Sequence, residues 1–311
     1  MKQNPTRTLM IERQWVAEIK RRFKTLRKRI IEGYNRIVSG EIVLNAEYDG
    51  PLALSAVQIE AFNEYLLKQI DLLLIGQTIN GQVGINSWMS QYIERAYRQA
   101  LAVSDAQLSA IALPQPVGAG LLEVVSGTAI PSLVGTGTVQ AMAPIHLETL
   151  GYLNNRAYDA LKNIGNEEAR KVRRLLVDGV ENGRNPLAVA RDIKDATDIS
   201  ENRAKLIART ETIQAYQRSV INSAKSFSEA SGEDVGILWR ATLDSRVREQ
   251  HAKWHGTISD PAETLRKINV SPYNCRCSLS ISTSANTSDE KKESMKARRE
   301  AFLSTFDSVK K

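Results

Sequence analysis

Between Ile11 and Ile37 the apolar residues fall at Ile11, Trp15, Ile19, Phe23, Leu26, Ile30, Tyr34 and Ile37. Steps of three and four, repeated this many times, draw one stripe along a helix. The other faces carry Lys20, Arg21, Arg22, Lys24, Arg27, Lys28 and Arg29. The spacing predicts a single amphipathic helix over 11–38, closed by Ser39-Gly40. A helix this long with one apolar face has to bury that face on other elements, which commits the region to helical packing.

The same signal recurs. Ser55 is a credible N-cap for a helix reaching Ile75, with Gly76 after it. Another helix is expected over 86–112, its apolar face made of Ile85, Trp88, Met89, Tyr92, Ile93, Ala96 and Leu101. Further on, helices are expected over 147–163 and 166–183. A short one opens at Asn185-Pro186, where proline suits the first helical position. A long one runs over 200–231 and is stopped by Gly232. Its stripe is Leu206, Thr210, Ile213, Tyr216 or Gln217, Val220, Ala224 and Phe227.

Residues 114–145 break this pattern. They hold four prolines, five glycines and one charge, Glu123, so no continuous helix can form there. An uncharged apolar segment of this kind suits a partner-facing bridge; the other reading is a hairpin packed on the protein's own core. The period then shortens to two. Residues 236–242 are β-prone, and from Cys275 to Thr283 the residues Cys277, Leu279 and Ile281 alternate with Arg276, Ser278 and Ser280. The expected fold class is mainly α with a small β element: long helices in the N-terminal and central regions, and a small antiparallel sheet around the C-terminal His/Cys motif. Four regions follow: a helical one over 1–113 with a basic arm, the bridge over 114–145, a compact one over 146–285, and a charged tail over 286–311. The tail can form a helix with a slight apolar face (Met295, Phe302, Leu303 and Phe306), marginal on its own.

The formal net charge of +7 is unevenly spread: residues 1–39 carry +8 and residues 40–150 carry −7. A basic arm calls for an acidic partner, either nucleic acid or an acidic protein surface; the plainer reading is a solvated helix face. The N-terminal residues show no apolar leader, and the aliphatic cluster Leu66–Ile75 contains Lys68, Gln69 and Asp71, too polar for a stable membrane span. The chain reads as soluble and made in the cytoplasm. Two cysteines one residue apart make no disulfide framework.

Both cysteines and two of the three histidines lie between His251 and Cys277. On a helix His251 and His255 would share a face; on a strand Cys275 and Cys277 would too. Two such pairs can converge on a tetrahedral metal, which makes these four residues a candidate structural zinc site. Otherwise the thiols are small buried hydrophobes and the histidines hydrogen-bond locally. Asp244 is expected to cap a helix beginning near Ser245. Arg246 is expected to meet a carboxylate, with Glu211 in the polar patch Arg209-Thr-Glu211 as a candidate; the other reading of these residues is a charged, solvated face. No Gly-rich phosphate loop and no Gly-x-Ser-x-Gly elbow is present, and the expectation is a protein without catalytic activity.

The order Ala208-Arg209-Thr-Glu211, Trp239, Asp244-x-Arg246, His251, Gly256 and then Pro272-x-x-Cys275-Arg276-Cys277 resembles the tailed-phage minor head proteins, the head-morphogenesis family typified by the F protein of phage Mu. The match spans roughly 150–283. Many members have a Cys pair where Arg248 and His251 stand, and an Asp where His255 stands. The resemblance implies a structural minor capsid protein of a bacteriophage virion. It implies assembly in the host cytoplasm, placement inside the head near the portal protein and other head proteins, and a part in head assembly and in DNA packaging or ejection. The basic arm would then meet packaged DNA or the portal. The alternative is a metal-binding protein that binds or processes DNA. A weaker third reading makes 114–145 a membrane-active segment, which its prolines oppose.

Overall fold

The computed structural model describes residues 8–39, 52, 54–76, 78–79, 82–83, 88–112, 144–270, 272–282 and 287–306. The chain is mainly α with a small antiparallel sheet, as the periodicities required. In chain order the helices are α1 (Leu9–Ser39), α2 (Ala56–Ile70), α3 (Ser90–Ala112), α4 (Pro144–Glu181), α5 (Pro186–Ser231), α6 (Glu249–Lys253), α7 (Pro261–Val270) and α8 (Asp289–Ser304). A wider helical turn, Asp71–Ile75, continues α2. Strands β1 (Thr78–Ile79) and β2 (Gln82–Val83) form a hairpin, and β3 (Ile237–Arg240), β4 (Ile258–Ser259) and β5 (Ser278–Ile281) form a sheet in the order β4-β3-β5. The bridge from 114 to 143 lies outside the described residues.

The chain folds into two compact units. One comprises residues 13–91 and 154–209. Trp15, Ile19, Phe23, Leu26, Ile30 and Tyr34 of α1 are fully buried in it, together with Phe62, Leu66 and Ile70 of α2. Each such side chain contributes about 1.5–3 kcal/mol of burial energy. Ser55 caps α2 in a complete capping box with Gln58. The expected break between two helices near residue 165 does not occur, and α4 runs through. Gly165 is there for contact: a Cβ on it would come within 2.4 Å of the Ile70 side chain. Nor does a new helix start at Ser200, which lies inside the 46-residue α5. Its hydroxyl donates to Glu168 of α4, as does Thr197, so the wholly buried carboxylate is satisfied from both sides.

The other unit comprises residues 1–12, 92–153 and 210–311. Its core joins Ala100 and Leu108 of α3, Ile213, Tyr216, Val220, Ile221, Ala224 and Phe227 of α5, and the inner face of the sheet. The expected pairing of the two strands is present: β3 and β5 are antiparallel with Trp239 opposite Leu279, and β4 is an additional edge strand with Leu238 opposite Ile258. On β5, the backbone N–H of Ile281 donates to Gln107 Oε1 of α3 at 2.9 Å. A buried polar chain runs from Asn222 to the Tyr97 hydroxyl and on to His146 Nδ1, each step 2.8 Å. Asn222 donates to the Tyr97 hydroxyl, which shares a hydrogen bond with His146 Nδ1, and burial holds His146 below the usual imidazole range, favouring the neutral ring. The tail packs: Met295 of α8 is buried, and Phe302, Leu303 and Phe306 lie against the core.

Candidate metal centre

Three short elements of the second unit bring the motif together. Asn274, with φ 52°, turns the chain after Pro272, and its N–H donates to Thr210 Oγ1 of α5 at 3.1 Å. Asparagine tolerates this left-handed conformation better than most residues. The turn delivers Cys275 and Cys277 just ahead of β5, not within the strand as expected. Opposite them α6 presents His251. Arg248 reaches across and donates to the Tyr273 carbonyl at 2.5 Å.

His251 Nδ1 lies 3.5 Å from the Cys275 sulfur and 3.5 Å from the Cys277 sulfur. All three residues are buried, and their ligand atoms lie within 4.8 Å of one another, so this group can hold a metal ion. Trp239 stands perpendicular to the His251 ring at 5.7 Å between centroids, and Trp254 stacks on it at 5.2 Å. The Cys277 N–H donates to the Cys275 sulfur at 3.4 Å, and Gln217 Nε2 donates to the Cys277 carbonyl at 2.9 Å while lying 3.9 Å from the Cys275 sulfur. The Cys275 thiol is pulled down, first by its hydrogen bond with Cys277 and, against the cost of burial, by His251. Cys277 is pushed up by the same hydrogen bond and by burial. Thiolate character therefore gathers on Cys275.

His255 does not join this group, which corrects the four-residue site. Helix α6 ends at Lys253, so the shared helical face that would pair His251 with His255 is never built. The His255 Nδ1 instead accepts the Ala241 N–H at 3.1 Å. That bond requires an unprotonated nitrogen, and burial together with the Arg298 charge holds the ring down to about 4. Gly256 follows at φ 79°, donates its N–H to the Trp239 carbonyl at 2.8 Å, and seats α8: a Cβ there would lie 2.9 Å from the Met295 Cβ.

Asp244 does not cap a helix near Ser245, since α6 begins four residues later at Glu249. The carboxylate accepts the Arg246 N–H in a turn and grips Arg276 with two hydrogen bonds of 2.5 Å. That bidentate pair holds Asp244 at about 2. The Arg246 side chain is exposed, Glu211 is buried and Arg209 is exposed. The sequence reading missed Gln217, Trp254 and Tyr273. Gln217 carried a partial signal as a polar residue competing for a place on an apolar stripe.

In the first unit the basic residues of α1 divide by role. Arg22 pairs with Glu18, donates to the Leu73 carbonyl and lies 4.2 Å over the Trp88 ring. Arg27 binds Asp198 and Glu201 of α5, and Arg29 binds Gln69. Lys20, Arg21, Lys24 and Lys28 remain exposed, with Arg21 paired to Glu18 and Lys28 to Glu32. Among the described residues no helix is long and apolar enough to cross a membrane.

This arrangement of motif residues coincides with a family match. Residues 170–280 match the family described as Phage Mu protein F like protein, so the expected resemblance holds over most of its span. The chain is also similar to an uncharacterized protein of Haemophilus influenzae, 35% identical over 124 residues, covering 38% of this chain and 26% of that protein. It is 26% identical over 133 residues to an uncharacterized protein of Methanocaldococcus jannaschii, covering 42% of this chain and 20% of that one. The chain thus spans about a quarter or less of these curated relatives. No solved structure matches it.

Proposed function

We propose that this chain is a non-enzymatic minor head protein of a tailed phage. In this reading it enters the head during assembly in the host cytoplasm and stays inside the virion near the portal. It contributes to head assembly and to DNA packaging or ejection. The observation that carries the reading is the family match over 170–280, within which His251, Cys275 and Cys277 close on each other in a buried cluster. Asp244 is spent on Arg276, His255 on a backbone amide, and the His251 group is buried. That favours a structural role over metal-dependent DNA cleavage, which needs a free general base and a metal that the substrate can reach. The metal component of this reading is a structural zinc at His251, Cys275 and Cys277. The exposed basic residues Lys20, Arg21, Lys24 and Lys28 are the part of the arm suited to packaged DNA or an acidic portal surface.

The test is co-expression with the portal protein of the same phage, followed by sedimentation. Co-migration with portal oligomers or procapsids is the expected result. A chain that sediments alone and nicks DNA when metal is added overturns the proposal.

A further inference from the structure

We propose that His251 Nδ1 and the sulfurs of Cys275 and Cys277 bind one tetrahedral zinc ion whose fourth ligand is a small exogenous oxygen donor, water or hydroxide, and not His255. The inference rests on the zinc component of the function proposed above. It does not depend on the virion role.

The donor spacing carries the argument. With a Zn–N bond of about 2.0–2.1 Å and a Zn–S bond of about 2.3 Å, a tetrahedral angle separates nitrogen from sulfur by roughly 3.5–3.6 Å, and a planar three-coordinate angle by roughly 3.8 Å. Both observed separations are 3.5 Å. One ring nitrogen equidistant from two sulfurs is a poor hydrogen-bond arrangement, because it shares one position between two partners at long range. It is the natural arrangement around a shared ion. Tetrahedral spacing implies a fourth vertex, and among the described residues no further His, Cys, Asp or Glu donor joins the group. The His255 Nδ1 is committed to Ala241, and Gln217 is committed to Gln214 and the Cys277 carbonyl.

The surroundings fit the same ion. A dication, two thiolates and a neutral water sum to zero charge, which suits three donors that are each at most 5% exposed and favours water over hydroxide as the fourth ligand. The Cys277 N–H and the Gln217 amide are placed to donate to the Cys275 sulfur, as partners of coordinating thiolates do. Binding displaces the remaining thiol protons to solvent and fastens α6 to the Cys275–Cys277 segment.

The 311-residue chain, purified and dialysed against zinc-free buffer, is titrated with Zn(II) and examined by elemental analysis and zinc-edge X-ray absorption. The expected result is one zinc per chain with two sulfur neighbours at about 2.3 Å, one imidazole and one further light donor. His255→Gln should keep that shell unchanged, while His251→Ala and Cys275→Ser should weaken affinity on the order of 100-fold or more. Two imidazoles in the wild-type shell, or loss of binding in His255→Gln, overturns the coordination while leaving zinc in place. Absence of stoichiometric zinc in the wild type overturns the zinc reading itself. Should a ligand variant fail to fold, the wild-type shell still decides between one imidazole and two.

Discussion

Replacing Gly256 by alanine tests whether the C-terminal helix is seated by the motif. The residue has φ 79°, a conformation that costs a Cβ-bearing residue about 1–2 kcal/mol. The added Cβ would also lie 2.9 Å from the Met295 Cβ and 3.6 Å from the Met295 carbonyl carbon, neither of which is the far end of a flexible chain. Forcing α8 to shift adds about 1–3 kcal/mol of overpacking. Gly232 supplies the control within the same unit. Its φ is 74°, yet a Cβ there meets nothing within 4 Å, so Gly232→Ala carries the backbone cost alone. Urea unfolding followed by tryptophan fluorescence should therefore show Gly256→Ala losing more than Gly232→Ala by about 1–3 kcal/mol. Amide exchange over 289–304 should rise in the first variant and not in the second. Equal losses at the two positions, with exchange in α8 unchanged, would refute the reasoning.

Three further outcomes are expected. Glu168→Ala removes a buried carboxylate that satisfies Thr197 and Ser200, and should cost about 3 kcal/mol in urea unfolding, with a loss under 1 kcal/mol counting against the account. His255 titrates lower in the folded chain, at about 4, than in the unfolded one, near 6.5. The unfolded chain then binds more protons between those values, so stability is full above about 6.5 and is lost as pH falls through about 4; a His255→Gln variant should flatten that slope. Charge reversal at Lys20 and Lys24 together should reduce the salt dependence of DNA or portal binding by roughly one to two logarithmic units per decade while leaving stability nearly unchanged, whereas Arg27→Ala should destabilise the chain through lost contacts to Asp198 and Glu201.

Much of this was legible because long periodic stretches decide their own fold. The α1 stripe and the Ser55 cap are local patterns that the packed structure keeps, and the two-residue alternation marked β5 correctly as a strand although all four of its residues are buried. The failures have a common physical cause. Gly165 and Ser200 carry the local chemistry of helix ends, and tertiary contacts with Ile70 and Glu168 recruit each into a helix interior. His255 failed differently. Spacing of four residues pairs side chains only while a helix lasts, and Gly256 beside it was already a stop signal that argued against the shared face. Trp254 could not be found from periodicity, since it belongs to the turn that ends α6 and acts by covering His251.

The hydrogen bond from Ile281 to Gln107 has a bearing on how this small sheet behaves among many copies of itself. A three-stranded sheet leaves two outer ladders open, and an outward-pointing amide on β5 is an invitation for a foreign strand to add. A glutamine borrowed from a helix 174 residues earlier in the chain fills that position. With all four β5 residues buried as well, that ladder is covered and offers little to a neighbour's strand where copies of the protein are held at high local concentration.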